Sequence, residues 1–319
     1  MSNSTVVLSV PINIPNTNRI REALGSSLVE AYTKEALSEA IADAEILFGG
    51  WPTETDLRVA TKLKWFQAFT AGVNMYPLST MQELGIQLTN TRGAHGPQIA
   101  ENVFSMMLGF AVGIPDMVRF QDKCVWKKTL LNNRKFELYG QTVLLIGLGA
   151  IGEAVAVRAQ AFGMTVHGIR RTASIPSDNI DKIFAQCELH SALAVADHVV
   201  LSLPLTEATR GYFKGAEFDA MKSSAYIYNV GRGACIQRDS LFSALDNRKI
   251  AGAGLDVTDP EPLLPDDPHW AYSNVILSQH SSGDSPNLDG RLTDIFLNNL
   301  DRYQQGLPLI NVIDFEHGY

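Results

Sequence analysis

Short runs of aliphatic and β-branched residues alternate along the chain with longer stretches of helical periodicity. Val6-Val7-Leu8, Ile46-Leu47-Phe48, Val143 to Ile146, His198 to Leu201, Tyr226 to Tyr228 and Val275 to Leu277 are largely apolar, without the polar alternate of a half-exposed strand. This alternation predicts parallel sheets covered by helices, an α/β fold. The strongest unit is TVLLIGLGAIGEAVAVRAQAFG, an apolar strand that runs into a glycine-rich turn and then an Ala-rich helix that stops at Gly163. It sits in the middle of the chain.

The stretch before that unit is long enough to form its own α/β layer. The pattern predicts a first domain over 1–95, a central domain over 96–288 and a return to the first over 289–319, carried by LDGRLTDIFLNNLDRYQQG. A length of 319 residues agrees, because a single hydrophobic core rarely serves so long a chain. No repeat or low-complexity tract interrupts it.

Composition removes some classes of function. Apolar residues at 45% and charged residues at 19% are ordinary for a globular protein, and a net charge of −8 argues against nucleic acid or anionic membranes as partners. Small anionic substrates remain open through local basic residues. Cys124, Cys187 and Cys235 are widely spaced and lack the paired spacing of zinc or redox sites, which suits a reducing cytoplasm and predicts no metal. The opening MSNSTVVLSVP does not read as a signal peptide, and no apolar run reaches the ~18 residues of a membrane span.

Gly147, Gly149 and Gly152 form G-x-G-x-x-G directly between strand and helix. The first glycine permits the tight turn, the second lets backbone approach a pyrophosphate, and the third packs helix on strand. The amides of Ala150 and Ile151 then open the helix, where N–H groups and dipole favour an anion. A merely tight strand–helix turn is the bland alternative. NAD sites place an acid roughly 20 residues on, to accept from the ribose hydroxyls. Here the second strand runs into Arg170-Arg171-Thr172, with Arg170 at 170 − 152 = 18 residues past the last glycine. Guanidinium groups there suit a 2′-phosphate, so the reading leans to NADP with NAD possible; an exposed basic strand end is the alternative.

Later strands end in polar residues that packing alone does not require. Arg232 lies between Gly231 and Gly233 after a buried strand, Asp256 is expected within a strand, Glu261 stands between two prolines, and His280 ends the last strand. Arginine, glutamate and histidine together suit reduction of an oxo acid: a cation for the carboxylate, an imidazole to protonate the carbonyl oxygen, and a carboxylate to orient it. Each also has a plain structural reading, as a turn cap, a solvated acid or a satisfied loop histidine. Trp51, Phe69 and Tyr76 are candidates for an apolar substrate wall and equally for core aromatics.

FTAGVN, GLGAIG, LPLT, NVGRGA, GLDVTDPEP and SQHSSG follow one another in an order that resembles the D-isomer-specific 2-hydroxyacid dehydrogenase family. The resemblance implies two Rossmann-like domains, a central cofactor domain inserted in a discontinuous, flavodoxin-like substrate domain, with a cleft between them. It implies that Arg232, Glu261 and His280 are the catalytic set, that Asp256 reaches the nicotinamide carboxamide, and that backbone amides of Ala71, Gly72 and Val73 hold the substrate carboxylate near Trp51. Further cofactor contacts are implied for Leu203, Pro204, Thr209, the turn Asn229-Val230-Gly231, His280, Ser282 and Gly283. GAHGPQIAEN, with His95 and Glu101, resembles the family's hinge helix, although Pro97 near a first helical turn accounts for it as well. A homodimer formed through the cofactor domain is also implied. The expected activity is that of an NAD(P)-dependent D-2-hydroxyacid dehydrogenase, or 2-oxoacid reductase. Its rivals are a formate dehydrogenase, which has Gln where Glu261 stands, and a dinucleotide-sensing regulatory protein of the same fold.

Overall fold

The computed structural model describes residues 4–132, 135–170 and 178–318. The chain separates into two compact units, one formed by Met1–His95 with Asp284–Tyr319 and the other by Gly96–Gly283. The second crossing thus falls at Gly283, a few residues before the expected 288, because the loop after the last strand stays anchored to the central unit through residue 282.

The first unit carries five parallel strands: β1 (Val6–Leu8), β2 (Leu28–Glu30), β3 (Ile46–Phe48), β4 (Trp65–Gln67) and β5 (Gln87–Thr89). Their spatial order β2-β1-β3-β4-β5 is the flavodoxin-like winding, so that fold expectation holds. Successive side chains alternate between faces. Val7, Leu47, Phe66 and Leu88 pack on one side, while Val6, Leu8, Ile46, Phe48 and Trp65 pack on the other against Phe296 and Leu300 of the helix Leu288–Gln304. That helix is the returning C-terminal segment. β2, β4 and β5 were not foreseen; Leu28-Val29-Glu30, Trp65-Phe66-Gln67 and Gln87-Leu88-Thr89 each mix polar with apolar residues and form no apolar run.

The second unit carries β6 (Thr142–Ile146), β7 (Thr165–Arg170), β8 (Lys182–Ala185), β9 (His198–Leu201), β10 (Tyr226–Asn229), β11 (Gly252–Leu255) and β12 (Val275–Leu277). All neighbours pair in parallel in the order β12-β11-β10-β9-β6-β7-β8, the Rossmann winding extended by one strand. Leu144 and Ile146 enter one hydrophobic cluster and Val143 and Leu145 the other, so helices cover both faces. The order reverses between β6 and β9, and open sheets of this kind bind ligands at the carboxyl ends of strands beside such a reversal. Among the described residues, no single helix is long and apolar enough to cross a membrane.

Candidate active site

The turn after β6 is shaped by its glycines for two different reasons. Gly147 has φ +104°, and a Cβ there would stand 2.8 Å from the Ser202 carbonyl oxygen; a Cβ on Gly152 would stand 2.4 Å from that of Gly147. Those two are demanded by the protein's own backbone. Gly149 is not: a Cβ there would meet nothing within 4 Å. It is also the N-cap of the helix Ala150–Ala161 and offers no side-chain cap, so its side of the turn stays open beside a helix start whose free N–H groups and dipole favour an anion. A pyrophosphate fits such a cradle. The residues present are therefore suited to a dinucleotide.

Arg170 ends β7 and turns back over this turn, with Nη2 3.5 Å from both the Leu148 carbonyl oxygen and Glu153 Oε1. It is the one member of the expected basic group that can be placed, since Arg171 and Thr172 lie outside the described residues.

On the other side of the reversal, two loops approach closely. A Cβ on Gly231 would lie 2.6 Å from the Leu203 carbonyl oxygen, which brings the Leu203-Pro204 segment against the Asn229-Val230-Gly231 turn. Thr209 Oγ1 donates to the Pro204 carbonyl at 2.6 Å. Asn229 is engaged within its own turn: Oδ1 accepts from Gly231 N–H at 3.1 Å, and Nδ2 donates to the Arg232 carbonyl at 3.0 Å. These bonds hold the backbone on both sides of Arg232. The Arg232 Nη1 donates to the Gly231 carbonyl at 2.8 Å. Burial pulls its guanidinium below the ordinary arginine range and the charge of Glu261 opposes that shift, but an arginine stays protonated in either case.

Gly233 explains why Arg232 and Glu261 share one neighbourhood. A Cβ on Gly233 would overlap the Thr258 carbonyl, so only glycine lets the two backbones touch. Thr258 N–H then donates to Glu261 Oε1 at 2.8 Å, and Glu261 Oε2 lies 2.8 Å from Nδ1 of His280. The structure thus brings together the three residues singled out from the sequence.

His280 lies three residues past β12 rather than at its end. Both Gln279 and His280 have left-handed backbones, φ +57° and +55°, a conformation that needs external support in residues other than glycine. Asp256 supplies it. Expected within a strand, it stands one residue beyond β11, where the sheet ladder has ended and its side chain is buried. Its carbonyl accepts the His280 N–H at 2.6 Å. Its Oδ1 accepts from Ser278 Oγ at 2.7 Å and from the N–H groups of Ser281 and Ser282 at 3.1 Å each, and its Oδ2 accepts from the Ser282 hydroxyl. Gln98 Nε2 donates to the next carbonyl, that of Gly283. The serines of SQHSSG gave no sequence signal for this role beyond their hydroxyls.

In the first unit, Ala71, Gly72 and Val73 form the loop after β4. Trp51 is half exposed, stacked on Tyr76 at 5.2 Å and edge-on to Phe69 at 5.1 Å. Tyr76 is a core residue, whose hydroxyl burial pushes up to about 12. Of the three aromatics, Trp51 is the most exposed, Phe69 is half-buried and Tyr76 is buried. GAHGPQIAEN opens the helix Gly96–Val112, and Glu101 pairs with Arg158 at 3.0 Å.

A family model described as "D-isomer specific 2-hydroxyacid dehydrogenase, NAD binding domain" matches residues 104–282. A crystal structure of a D-isomer-specific 2-hydroxyacid dehydrogenase family protein from Aeromonas salmonicida superposes with a TM-score of 0.87 at 32% identity, covering 98% of this chain and 100% of that one. A glyoxylate reductase of Korarchaeum cryptofilum is 29% identical over 89% of this chain and 87% of its own length. A glyoxylate/hydroxypyruvate reductase B of Klebsiella pneumoniae is 30% identical over 82% and 83%.

Proposed function

Because the chain belongs to the D-isomer-specific 2-hydroxyacid dehydrogenase family, we propose that it is a 2-oxoacid reductase working with a nicotinamide dinucleotide, NADPH ahead of NADH, in which Arg232, Glu261 and His280 carry the chemistry. When bound, the dinucleotide supplies the hydride that reaches the carbonyl carbon. The observation that carries the assignment is the 2.8 Å contact between Glu261 Oε2 and His280 Nδ1. A carboxylate on Nδ1 fixes a proton there and leaves Nε2 as the ring position for exchange with substrate. In reduction, Nε2 of the doubly protonated ring gives its proton to the carbonyl oxygen, which becomes the hydroxyl. In oxidation the same nitrogen takes it back.

Arg232 receives the carboxylate of the oxo acid through parallel N–H groups and steadies charge that grows on the neighbouring oxygen. Its partial burial strengthens both interactions. The resemblance, rather than any distance, supports giving the amides of Ala71, Gly72 and Val73 to the same carboxylate and Trp51 to the apolar part of the substrate. Among the described residues Asp256 Oδ2 accepts only the Ser282 hydroxyl and keeps a lone pair for a carboxamide N–H, so that role is compatible with its support of the His280 loop.

Multiple-turnover oxidation of NADPH by glyoxylate, hydroxypyruvate and larger aliphatic and aromatic 2-oxo acids tests the reading. The names of the Korarchaeum and Klebsiella relatives make the first two the substrates to try first. Dinucleotide binding without turnover of any 2-oxo acid would replace the reductase with a sensor.

We also propose a homodimer and a cytoplasmic setting. In the central unit, Ile114, Val118, Trp126 and Leu130 are exposed within one short stretch, and Trp126 is 92% exposed. Exposed apolar side chains gathered in one stretch are costly against water, which supports an interface there. The three cysteines are free thiols, which suits a reducing compartment.

A further inference from the structure

The loop proposed to hold the substrate carboxylate contains no charged side chain, so whatever affinity it has for an anion must come from the direction of its N–H groups. That direction is set by three hydrogen bonds to consecutive carbonyls. The Thr91 N–H donates to the Thr70 carbonyl at 3.2 Å, Asn90 Nδ2 donates to the Ala71 carbonyl at 2.6 Å, and Thr70 Oγ1 donates to the Gly72 carbonyl at 2.7 Å. Among the described residues the cis peptide bonds precede Pro260 and Pro262, so these three peptide units are trans. In a trans peptide the N–H points opposite to the C=O. Tying the carbonyls of Thr70, Ala71 and Gly72 back therefore aims the N–H groups of Ala71, Gly72 and Val73 away from their tethers, and none of the three donates to another described residue. Successive amides presented in this way form an anion-binding concavity.

The tethers are themselves held. Asn90 Oδ1 accepts from the Arg92 N–H at 3.1 Å, which fixes the amide so that Nδ2 faces Ala71. The Asn90 N–H donates to the Asn311 carbonyl at 3.1 Å, and Asn311 Nδ2 donates to the Arg92 carbonyl at 2.9 Å. The C-terminal segment thus backs the end of β5, and β5 backs the loop.

We infer that Thr70 and Asn90 are positioning residues for substrate, whose side chains orient the amides of Ala71, Gly72 and Val73 toward the carboxylate of the oxo acid. The inference rests on the reductase reading and adds to it two side chains that touch neither substrate nor cofactor. Losing a tether lets a peptide unit rotate, which weakens carboxylate binding while leaving the proton donor and hydride path in place.

The test compares Thr70→Val, Thr70→Ser and Asn90→Ala with the unmodified enzyme, reading kcat and KM for glyoxylate or whichever 2-oxo acid turns over best. Calorimetry gives the Kd of oxamate, a non-reducible oxo-acid analogue, on the NADPH-loaded protein. Thr70→Val and Asn90→Ala should each raise KM and the oxamate Kd by about tenfold, the worth of one hydrogen bond to a charged group. kcat and the Kd of NADPH should stay within about twofold in both, well inside the tenfold that one such bond is worth. Thr70→Ser keeps the hydroxyl and should return KM to the unmodified value. An unmoved KM and oxamate Kd in Thr70→Val would overturn the inference, as would a loss of kcat with a lowered Tm and no change in KM, the pattern of general damage. An unmodified protein that reduces no 2-oxo acid would overturn the functional reading and this inference with it, whereas turnover with unmoved KM in the variants defeats this inference alone.

Discussion

Glu261 and His280, held on separate loops after β11 and β12, meet through Oε2 and Nδ1 at 2.8 Å, while the second oxygen of the same carboxylate is pinned by the Thr258 N–H. A pair fixed at both ends acts as a unit. His280→Asn should retain dinucleotide binding, followed by fluorescence, and lower 2-oxo acid reduction by ~100-fold or more, as for loss of a positioned proton donor. Glu261→Gln should lower kcat by roughly tenfold or more, since an amide can turn either face to Nδ1 and no longer fixes the proton there. The double variant should be little worse than His280→Asn alone, because the carboxylate acts only through the ring. Near-normal turnover in His280→Asn would remove the histidine from the chemistry.

The parts of the site that could be read from sequence were those whose chemistry is written in a single residue type at a strand end. Gly147, Gly149 and Gly152 advertise a turn, and Arg232, Glu261 and His280 carry charge where packing does not ask for it. Thr70, Asn90 and Thr258 could not be found that way. Asn90 acts on the backbone of a distant loop while Thr70 and Thr258 act within their own, and nothing local distinguishes Asn90 from any asparagine that ends a strand. The same holds for the fold. β3, β6, β9 and β12 appear as apolar runs, whereas β2 ends in Glu30 and β8 opens with the exposed Lys182, so neither shows the run.

A buried histidine makes the central unit sensitive to acid. His198 opens β9 at 0% exposure, with Tyr228 Oη at 3.0 Å from Nδ1 and Gln141 Oε1 at 2.6 Å from Nε2. Gln141 Oε1 accepts a hydrogen bond from the Nε2–H and the Tyr228 hydroxyl donates to Nδ1, so the network suits a neutral ring. Burial lowers its pKa from 6.5 to about 4, against the opposing charge of Asp197. The folded pKa is depressed, so the unfolded chain binds the proton first; stability is intact above about 6.5 and falls as pH drops toward 4. The loss by pH 4.5 is on the order of 2–3 kcal/mol. Urea unfolding at pH 7 and pH 4.5 should show His198→Gln losing less stability than the unmodified protein. An equal loss in both would clear His198 of the effect.

Assembly is tested through the exposed row of the central unit. Light scattering should give about twice the 34.9 kDa chain mass, and Val118→Glu with Trp126→Glu should shift it toward that of one chain. A concentration-independent monomer in the unmodified protein would defeat the dimer.

Cofactor preference is expected to turn on Arg170 at the end of β7. Arg170 is 18% exposed and sits 3.5 Å from Glu153 Oε1 and 3.5 Å from the Leu148 carbonyl oxygen, above the glycine turn where the adenosine ribose of a dinucleotide is expected. A 2′-phosphate brings roughly two negative charges and several acceptor oxygens, which a planar guanidinium answers with charge-assisted hydrogen bonds; NADH offers only a hydroxyl there. One or two such bonds, at about 1.5 to 3 kcal/mol each, should favour NADPH in kcat/KM by ~10-fold to several hundred-fold. Glu153 bears the wrong charge for that phosphate and competes for the same guanidinium, so Glu153→Gln should widen the preference. Arg170→Asp should weaken NADPH by repulsion and affect NADH less, because the new carboxylate can accept from the ribose hydroxyls. Since Arg170 is largely covered, added salt should narrow the preference only in part, whereas a solvated arginine would lose most of it. Equal kcat/KM for NADPH and NADH in the unmodified protein would reduce the arginine to a partner of Glu153 that stabilises the turn and selects nothing.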